Sequence, residues 1–240
     1  MLVVNPSLEA ELYDLSSFAE FQGLCATQLK LISLQCRWRR YEADEVVVRY
    51  HDSASDVYWV VSGQVRITYH SFSGQEVLLS DFSAGEMFGE LSAIDGCKRS
   101  ATVMAKTNCL LASMPNADFL QLVYTHSSLC LAILQRLTRQ VRRLTERVFD
   151  FSTLAVRQRL HTELLHLAQN HLQPGSNRVV ISPAPTHHDM ANLISTHREA
   201  ITRELNILAK EKILTRDKRD LIILDLNKLK KLVYEARGSY

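Results

Sequence analysis

The sequence feature that most constrains the fold is a heptad repeat in the middle of the chain. Apolar residues recur there at alternating intervals of four and three residues, at Cys130, Leu134, Leu137, Val141, Leu144, Val148 and Phe151. A period of about 3.5 residues is typical of helices that associate side by side, whereas a helix packed on its own domain usually carries a broader apolar stripe. The repeat therefore predicts a helix over 127–151 that joins two copies of the chain as a parallel dimer. Packing of this helix on its own domain is the alternative.

The two halves of the chain carry opposite net charge. Residues 1–135 contain 9 Lys and Arg against 15 Asp and Glu, a net charge of −6, and residues 136–240 contain 19 against 11, a net charge of +8. The total of +2 by itself fits an ordinary solvated surface. The separation of the charges instead indicates an acidic module joined to a basic module that contacts a polyanion. A length of 240 residues is sufficient for two domains of ordinary size.

Composition and targeting signals exclude several other classes of protein. With 8 Gly and 5 Pro the chain is neither fibrous nor of low complexity. No stretch approaches the roughly 20 apolar residues of a membrane span. The first residues lack the basic region and apolar core of a signal peptide, and the 5 cysteines form no CxxC pair. We therefore expect a cytoplasmic protein that does not contact a membrane.

Neither a catalytic motif nor a metal site is evident in the sequence. It contains no GxSxG, Walker or HExxH motif. His187, His188 and Asp189 are consecutive on a predicted helix, where neighbouring side chains point about 100° apart and cannot converge on one ion. We therefore expect neither enzymatic activity nor a bound metal.

The N-terminal half alternates between β-branched or aromatic runs and turn residues, among them Ser73-Gly74. Such runs are typical of strands and occur at Val46–Val48, Val57–Val61, Val65–Tyr69, Val77–Leu79 and Ala101–Ala105. Short strands at this spacing predict a β-roll, sandwich or barrel. Short helices are predicted before it, at Ser7–Phe18, and after it, at Asn116–Tyr124.

The C-terminal half predicts a series of helices and a hairpin. A hinge at 149–152, with Ser152 as the cap of the next helix, ends the heptad repeat. That next helix is predicted to continue as far as a turn at Pro174-Gly175. The remaining predicted elements are a strand at Arg178–Ile181, two short helices, a hairpin with arms at Lys212–Thr215 and Leu221–Leu224, and a last helix capped by Asn227.

A first candidate site lies in residues 85–103, which read GEMFGELSAIDGCKRSATV. The glycines allow the backbone to approach a ligand closely, and the short helix that follows offers free N–H groups to an anion. Arg99 adds a bidentate donor suited to phosphate. Glu90 fits beside a phosphate if it accepts from a hydroxyl, which a ribose 2′-OH supplies. The alternative is an ion pair between Glu90 and Arg99 that stabilises a loop.

A second candidate site has the spacing of a helix-turn-helix. Thr186 with Asp189, and Thr196 with Glu199, each form the [ST]xx[DE] pattern of a helix start. Ala191 is small where two helices must approach closely. Further apolar residues that pack the two helices together are Ile194, Ile201 and Leu205.

The start of the second of these helices is predicted to contact bases in the major groove of DNA. The candidate residues are Thr196, His197, Arg198, Glu199, Thr202 and Arg203. Arginine reads guanine O6 and N7, and glutamate accepts from cytosine N4. Glu199 has two alternative roles, as part of a capping box and as the partner of Arg203 in an ion pair. Lys218, at the tip of the hairpin, is placed to contact phosphate.

The order of these parts resembles the Crp/Fnr family of transcription regulators over nearly the whole chain. Residues 85–103 resemble the phosphate-binding cassette of the cyclic-nucleotide-binding domain, including the nine-residue step from Glu90 to Arg99. Arg198, Glu199 and Arg203 match the R-E…R pattern of the catabolite-activator branch. The resemblance implies an α+β fold with three parts. These are an N-terminal β-roll or jelly-roll domain that binds a cyclic nucleotide (1–126), a long dimerisation helix (127–151) and a C-terminal winged helix-turn-helix (152–240).

The resemblance also implies an effector and a set of residues that bind it. Glu90 binds the ribose hydroxyl and Arg99 binds the cyclic phosphate. The other expected ligand-binding residues are Ser80, Gly89, Leu91, Ser92, Ser100 and Thr145. cAMP is the expected effector, with cGMP as the open alternative. The expected partners are double-stranded DNA, a second copy of the chain and RNA polymerase. The alternative function is a regulator of the same family that binds DNA without an effector.

The sequence departs from the family pattern at several positions. Leu144 stands where the catabolite-activator members place a hydrogen-bonding residue, which leaves Thr145 alone to read the base. Gln140 replaces an arginine that supports the cassette glutamate, with Arg139 and Arg143 close by in sequence. His51 and Ser195 occupy turns where the family often has glycine, at a cost of about 1 kcal/mol each. The N-terminal cysteine cluster of the iron–sulfur branch is absent from the sequence.

Overall fold

The computed structural model describes residues 14–70, 76–169, 171–173 and 175–238. The predicted turn at Ser73-Gly74 lies outside these residues, as do Pro174 of the second predicted turn and most of the predicted helix at Ser7–Phe18. The described end of that helix, from residue 14 to 18, is not helical. The chain divides into two compact units, Met1–Gln140 and Val141–Tyr240.

The first unit is built on two antiparallel sheets of four strands each, with the orders β1-β8-β3-β6 and β2-β7-β4-β5. The strands are β1 (Arg37–Tyr41), β2 (Val46–Val48), β3 (Val57–Ser62), β4 (Gln64–His70), β5 (Glu76–Ser83), β6 (Met87–Phe88), β7 (Thr102–Ala105) and β8 (Cys109–Met114). All five strands predicted from β-branched runs are present. The predictions missed β1, β6 and β8. The sequence of β1, RWRRY, is mostly charged although Trp38 and Tyr41 are buried.

Helices in the first unit pack against this double sheet. They are a short 3₁₀ helix (Ala19–Phe21), α1 (Ala26–Gln35), α2 (Glu90–Asp95) and α3 (Asn116–Thr125). Trp59 on β3 is buried between Phe21 and Phe119, with ring centroids 5.4 and 6.2 Å away. This aromatic contact joins one sheet to helices on both sides of it in sequence, and so positions the loop that leads into α2.

The long helix α4 (Ser127–Thr153) confirms the helix predicted from the heptad repeat. Four residues of the heptad repeat, Leu134, Val141, Leu144 and Val148, are between 54 and 66% exposed. A large part of the repeat therefore lies at the surface of the chain. Cys130 and Leu137 are partly buried by their own unit instead. Among the described residues no single helix is long and apolar enough to cross a membrane, although the bent pair α3 and α4 meets that test jointly.

The predicted hinge with Ser152 as a cap is wrong in position. Ser152 lies inside α4, and its hydroxyl donates to the carbonyl of Val148 at 2.8 Å, as serine does within a helix. The helix breaks two residues later, at Leu154 and Ala155, before α5 (Val156–Gln169) begins. The side chain of Gln158 accepts from the N–H of Ala155 at 3.0 Å and so satisfies a donor at the start of α5.

The second unit has the expected winged helix-turn-helix arrangement. Its elements after α5 are β9 (Val179–Ile181), α6 (His187–Leu193), α7 (Arg198–Lys210), β10 (Leu214–Asp217), β11 (Asp220–Ile223) and α8 (Leu226–Arg237). The three strands form one antiparallel sheet in the order β10-β11-β9. Buried residues from all these helices, including Leu160, Ile201 and Leu229, share one apolar cluster.

Besides Ser152, three helix caps were predicted in this unit, and one of them is confirmed. Thr186 accepts from the N–H of Asp189 at 3.0 Å and caps α6. Thr196 does not cap α7, because the N-cap position is His197, whose side chain makes no capping bond. Asn227 lies inside α8, which Asp225 caps by accepting from the N–H of Lys228 at 3.0 Å.

A buried carboxylate ties α7 to α5. Glu204 is 6% exposed and accepts from Nε2 of His161 at 2.7 Å and from Nε of Arg157 at 2.9 Å. His161 is 3% exposed, so neither group has solvent as an alternative partner. Because an unpaired buried polar group costs free energy, this network holds α7 in one position on α5.

We expect Glu204→Ala to lower the free energy of unfolding by about 2–3 kcal/mol, since it leaves His161 buried without its partner. Asn206→Ala on the same helix is the control, because Asn206 is exposed and should change stability by less than about 0.5 kcal/mol. Urea unfolding of both variants measures the difference. Equal midpoints would show that the network contributes nothing.

Candidate effector site and nucleic-acid interface

The cassette begins at a glycine whose conformation no other residue adopts easily. Gly89 follows β6, has a φ of +87°, and precedes the first residue of α2. A Cβ atom at this position would lie 2.6 Å from Nη1 of Arg99 and 2.7 Å from the carbonyl oxygen of Asp56. Both the left-handed backbone and the close approach therefore require glycine. The turn brings the free N–H groups of α2 next to the Arg99 side chain.

Arg99 is buried and held by backbone carbonyls. It is 3% exposed, and its guanidinium donates to the carbonyl of Gly89 at 3.1 Å and to that of Asp56 at 2.6 Å. The guanidinium carbon lies 5.8 Å from the centre of the Tyr58 ring. Burial lowers the pKa of Arg99. Within the described residues its Nε–H is buried without a partner, and Arg99 forms no ion pair with Glu90.

Glu90 is buried near a second arginine, Arg136 on α4. The carboxyl is 5% exposed, and burial raises its pKa, opposed first by a hydrogen bond from its own backbone N–H and then by the charge of Arg136. Arg136 on α4 donates to the carbonyl of Met87 and lies 3.5 Å from Oε1 of the buried Glu20. Arg136 is therefore not an outward-facing residue.

Arg136 acts on Glu90 through its charge, whereas the expected supporting arginine is replaced by Gln140. It lies one helical turn before Gln140 and so on the same face of α4, which is the signal that could have identified it. Asp56 was also missed. No sequence signal could have found it, because it acts through its backbone carbonyl, which every residue has.

The remaining residues predicted to bind the effector are placed as follows. Ser92 is buried, Leu91 is 40% exposed and Ser100 is exposed. Ser80 lies on β5 opposite Ile67. All these residues belong to the first unit, whereas Thr145 belongs to the second, where it is exposed on α4 and donates to the carbonyl of Val141 at 3.0 Å.

The loop before β3 closes around Arg99 through its backbone. The N–H of His51 donates to the Arg99 carbonyl, and the N–H of Arg99 donates to the Asp52 carbonyl, both at 3.0 Å. His51 adopts a φ of +63°, as the turn requires. These residues fit a phosphate group, because the unpartnered Nε–H of Arg99 and the N–H groups that begin α2 are donors, and Glu90 can accept from a hydroxyl.

The helix-turn-helix presents charged side chains at the start of α7. Ile201 and Leu205 are buried against the rest of the unit, while Arg198, Glu199 and Arg203 are exposed. Ser195 forms the turn with a φ of +52°. The helix therefore has one face fixed by packing and one face free to contact a partner.

Glu199 is free of both alternative roles considered from the sequence. It makes no capping bond, and among the described residues it forms no ion pair with Arg203. Thr202, in contrast, is engaged within the domain. Its hydroxyl donates to the carbonyl of Arg198 at 3.0 Å and lies 2.8 Å from Nδ1 of His187.

The other predicted DNA contacts lie around this helix. His197 is exposed at the N-cap position of α7, and Thr196 is partly exposed, with its N–H donating to the carbonyl of Ala191. Lys218 is exposed in the turn between β10 and β11 with a φ of +50°. In the part of the chain that the structure describes, no group of three His, Cys, Asp or Glu residues is placed to hold a metal ion.

Comparison with known proteins identifies the class of this chain. The family model for the cyclic nucleotide-binding domain matches residues 38–126, and that for the Crp-like helix-turn-helix domain matches residues 158–232. Together the two models cover about two thirds of the chain. The chain belongs to the Crp/Fnr family of DNA-binding transcription regulators.

Individual relatives agree with this assignment. The cyclic AMP receptor protein of Thermus thermophilus is 29% identical over 191 residues, which cover 80% of this chain and 85% of that protein. A CooA mutant from Carboxydothermus hydrogenoformans has a TM-score of 0.72 at 20% identity, covering 83% of this chain and 88% of its own. The c-di-GMP-responsive regulator CLP of Xanthomonas campestris has a TM-score of 0.68 at 23% identity, and the match covers 83% of this chain and 99% of that one. Two of these relatives are named for different nucleotides, cAMP and c-di-GMP.

We expect Glu90→Gln to flatten the pH dependence of stability. The raised pKa of Glu90 means that the folded chain binds more protons than the unfolded chain just above pH 4.5, so stability falls as pH rises through this window. Glutamine does not titrate and removes this loss. Thermal unfolding between pH 4 and pH 7 measures the effect, with the exposed Glu42→Gln as control. An unchanged profile in Glu90→Gln would contradict the assignment.

Proposed function

We propose that this protein is a cyclic-nucleotide-responsive, sequence-specific transcription regulator that acts as a homodimer. The observation that carries the proposal is the buried Arg99 guanidinium, whose Nε–H has no partner among the described residues, beside Gly89 and the start of α2. A buried donor without an acceptor is rare in folded proteins, and a phosphate oxygen supplies both the acceptor and the opposite charge.

The nucleotide is held by contacts that differ for each of its parts. Arg99, Ser100 and the backbone N–H groups of Leu91 and Ser92 bind the cyclic phosphate. Glu90, positioned by Arg136, accepts from the ribose 2′-OH. Ser80 and Thr145 complete the site, with Thr145 contacting the base because Leu144 offers no hydrogen bond. cAMP is the effector of first choice and cGMP the alternative.

The exposed apolar residues of α4 form the proposed dimer interface. A row of side chains more than half exposed is costly in water and is covered when two α4 helices pair. The chain then has a nucleotide-binding domain in 1–126, a dimerisation helix in 127–151 and a DNA-binding domain in 152–240. The cytoplasm is the expected location, and RNA polymerase an expected further partner.

Nucleotide binding is coupled to DNA binding because it shifts the population of the conformations of the chain. The nucleotide contacts both the cassette and Thr145 on the dimerisation helix, and stabilises one geometry of the break at Leu154 and Ala155. In that geometry the two α7 helices lie about 34 Å apart, one turn of DNA. A regulator that binds DNA without an effector, and keeps the cassette as structure, is the alternative. The buried unpartnered donor of Arg99 favours the first reading.

We expect Arg99→Ala to weaken cAMP binding by roughly 10- to 100-fold, because a charge-assisted contact contributes about 1.5–3 kcal/mol. Lys98→Ala is the matched control, since Lys98 is its exposed neighbour. Calorimetric titration with cAMP, cGMP and c-di-GMP identifies the effector, and gel filtration verifies that the variant remains a folded dimer. Operator affinity that is the same with and without the saturating nucleotide would support the effector-independent alternative.

We expect Glu199→Ala to relax sequence specificity without loss of stability. Glu199 accepts from a cytosine N4 amino group, and Arg198 and Arg203 donate to guanines of the same half-site, in a palindrome resembling TGTGA…TCACA. Binding to a panel of single-base operator variants should show a loss of about 1–3 kcal/mol per half-site at one base pair. Lys218→Ala is the control, because loss of a phosphate contact weakens all operators alike. Uniform weakening by Glu199→Ala would remove it from the base-reading residues.

A further inference from the structure

A cleft lies within the Val141–Tyr240 unit, and none of the residues that line it is among those proposed to bind nucleotide or DNA. It opens between α4, α5 and the end of α6, and encloses about 430 Å³ of space including the solvent at its mouth. Its polar lining includes Arg143, Arg147, Arg159, Thr162, Glu163 and His166. Leu193 and Ile194 at the end of α6 complete the wall next to the helix-turn-helix.

Two of the lining groups are buried donors without a partner among the described residues. Thr162 is 4% exposed, and its hydroxyl makes no hydrogen bond. Arg159 donates through Nη1 to the carbonyl of Leu154 at 3.2 Å, but its Nε–H is also buried and unpartnered. Because buried polar groups in folded proteins are almost always satisfied, these donors indicate a ligand that accepts hydrogen bonds.

The charges around the cleft restrict that ligand further. Guanidinium groups from α4 and α5 favour an oxyanion, whose oxygens match their planar array of donors. Asp150 is already bound by Arg237, with hydrogen bonds of 2.6 and 3.1 Å. Glu163 is different, since it forms no hydrogen bond or ion pair with a described residue. Burial raises the pKa of Glu163, opposed by His166, Arg143 and Arg147. A carboxylate can lie next to a bound anion only if the two groups share a proton.

We propose that this cleft binds a phosphate group that carries a proton. Arg143, Arg159 and the Thr162 hydroxyl donate to its oxygens, and the P–OH group donates to Glu163. Sulfate has the same shape but no proton at neutral pH, so the carboxylate discriminates against it. The open mouth leaves room for the organic part of a phosphomonoester.

The position of the cleft gives the bound group a structural consequence. Arg147 donates to the carbonyl of Leu193, the last residue of α6, and Arg159 to that of Leu154 at the break between α4 and α5. A ligand in contact with this wall stabilises the attachment of the helix-turn-helix to the dimerisation helix. No residue that lines the cleft belongs to the cassette, so failure of this proposal would not contradict the proposed nucleotide response.

The test is calorimetric titration of the full-length protein, saturated with cAMP to occupy the cassette, with inorganic phosphate, glycerol phosphate and sulfate at constant ionic strength. Phosphate should bind more tightly than sulfate, and the glycerol phosphate arm distinguishes a monoester from the free ion. Thr162→Val should weaken phosphate binding about fivefold, the loss of one hydrogen bond. Its melting temperature without phosphate should not fall, because the removed hydroxyl is unpartnered. Arg142→Ala, an exposed residue of α4, is the control and should bind as wild type.

Glu163→Gln provides the decisive second variant. The glutamine amide supplies a permanent donor in place of the shared proton, so sulfate should bind this variant as tightly as phosphate does. A purely structural role of Glu163 would not change the ratio of the two affinities. Equal affinity of the wild-type protein for phosphate and sulfate, or phosphate binding unaffected by Thr162→Val, would overturn the proposal.

Discussion

The first unit depends on the burial of one guanidinium. Arg99 draws together the loop that ends at Asp56, the turn at Gly89 and the start of α2, because its donors have only backbone carbonyls to bind. A buried charge without an opposite charge is costly, and the Tyr58 ring beneath it offsets only part of that cost. Among the described residues no carboxylate forms an ion pair with Arg99, and its Nε–H is buried without a partner, so a donor is available to the proposed phosphate group.

In the second unit, buried carboxylates are paired with basic side chains of the same unit. Glu204 is buried between His161 and Arg157, and Asp150 is bound by Arg237 on the last helix. The Glu204 contacts hold α7 on α5, and the Asp150 contact joins α4 to α8, while Arg198, Glu199 and Arg203 on α7 are exposed. Binding to DNA then requires little rearrangement of the protein, and base contacts cost less side-chain entropy because the helix is already held in place.

Strands and helix caps were predicted correctly from the sequence where one local pattern is sufficient. They were predicted wrongly where two patterns favour different structures. The strands at β2, β3, β4, β5 and β7 followed from β-branched runs, while β1 was hidden by its arginines. The cap at Thr196 was wrong because His197 occupies the N-cap position of α7. The cap at Ser152 was wrong for a different reason. A hydroxyl residue near a helix end can bond either to a free N–H or to a carbonyl of the preceding turn, and Ser152 takes the second option. Asp225 displaced Asn227 because it precedes the helix by one residue.

The sequence by itself determined the heptad repeat, the cassette string and the helix-turn-helix, since each is a pattern within one continuous segment whose spacing carries the information. Only the tertiary structure placed Arg136 near Glu90 and Glu20, the Asp56 carbonyl against Arg99, and Arg143 of α4 in one cleft with Thr162 of α5. In these cases the partners are distant in sequence or act through the backbone. Their contacts depend on which face of a helix is buried, and that is decided by how the whole unit packs.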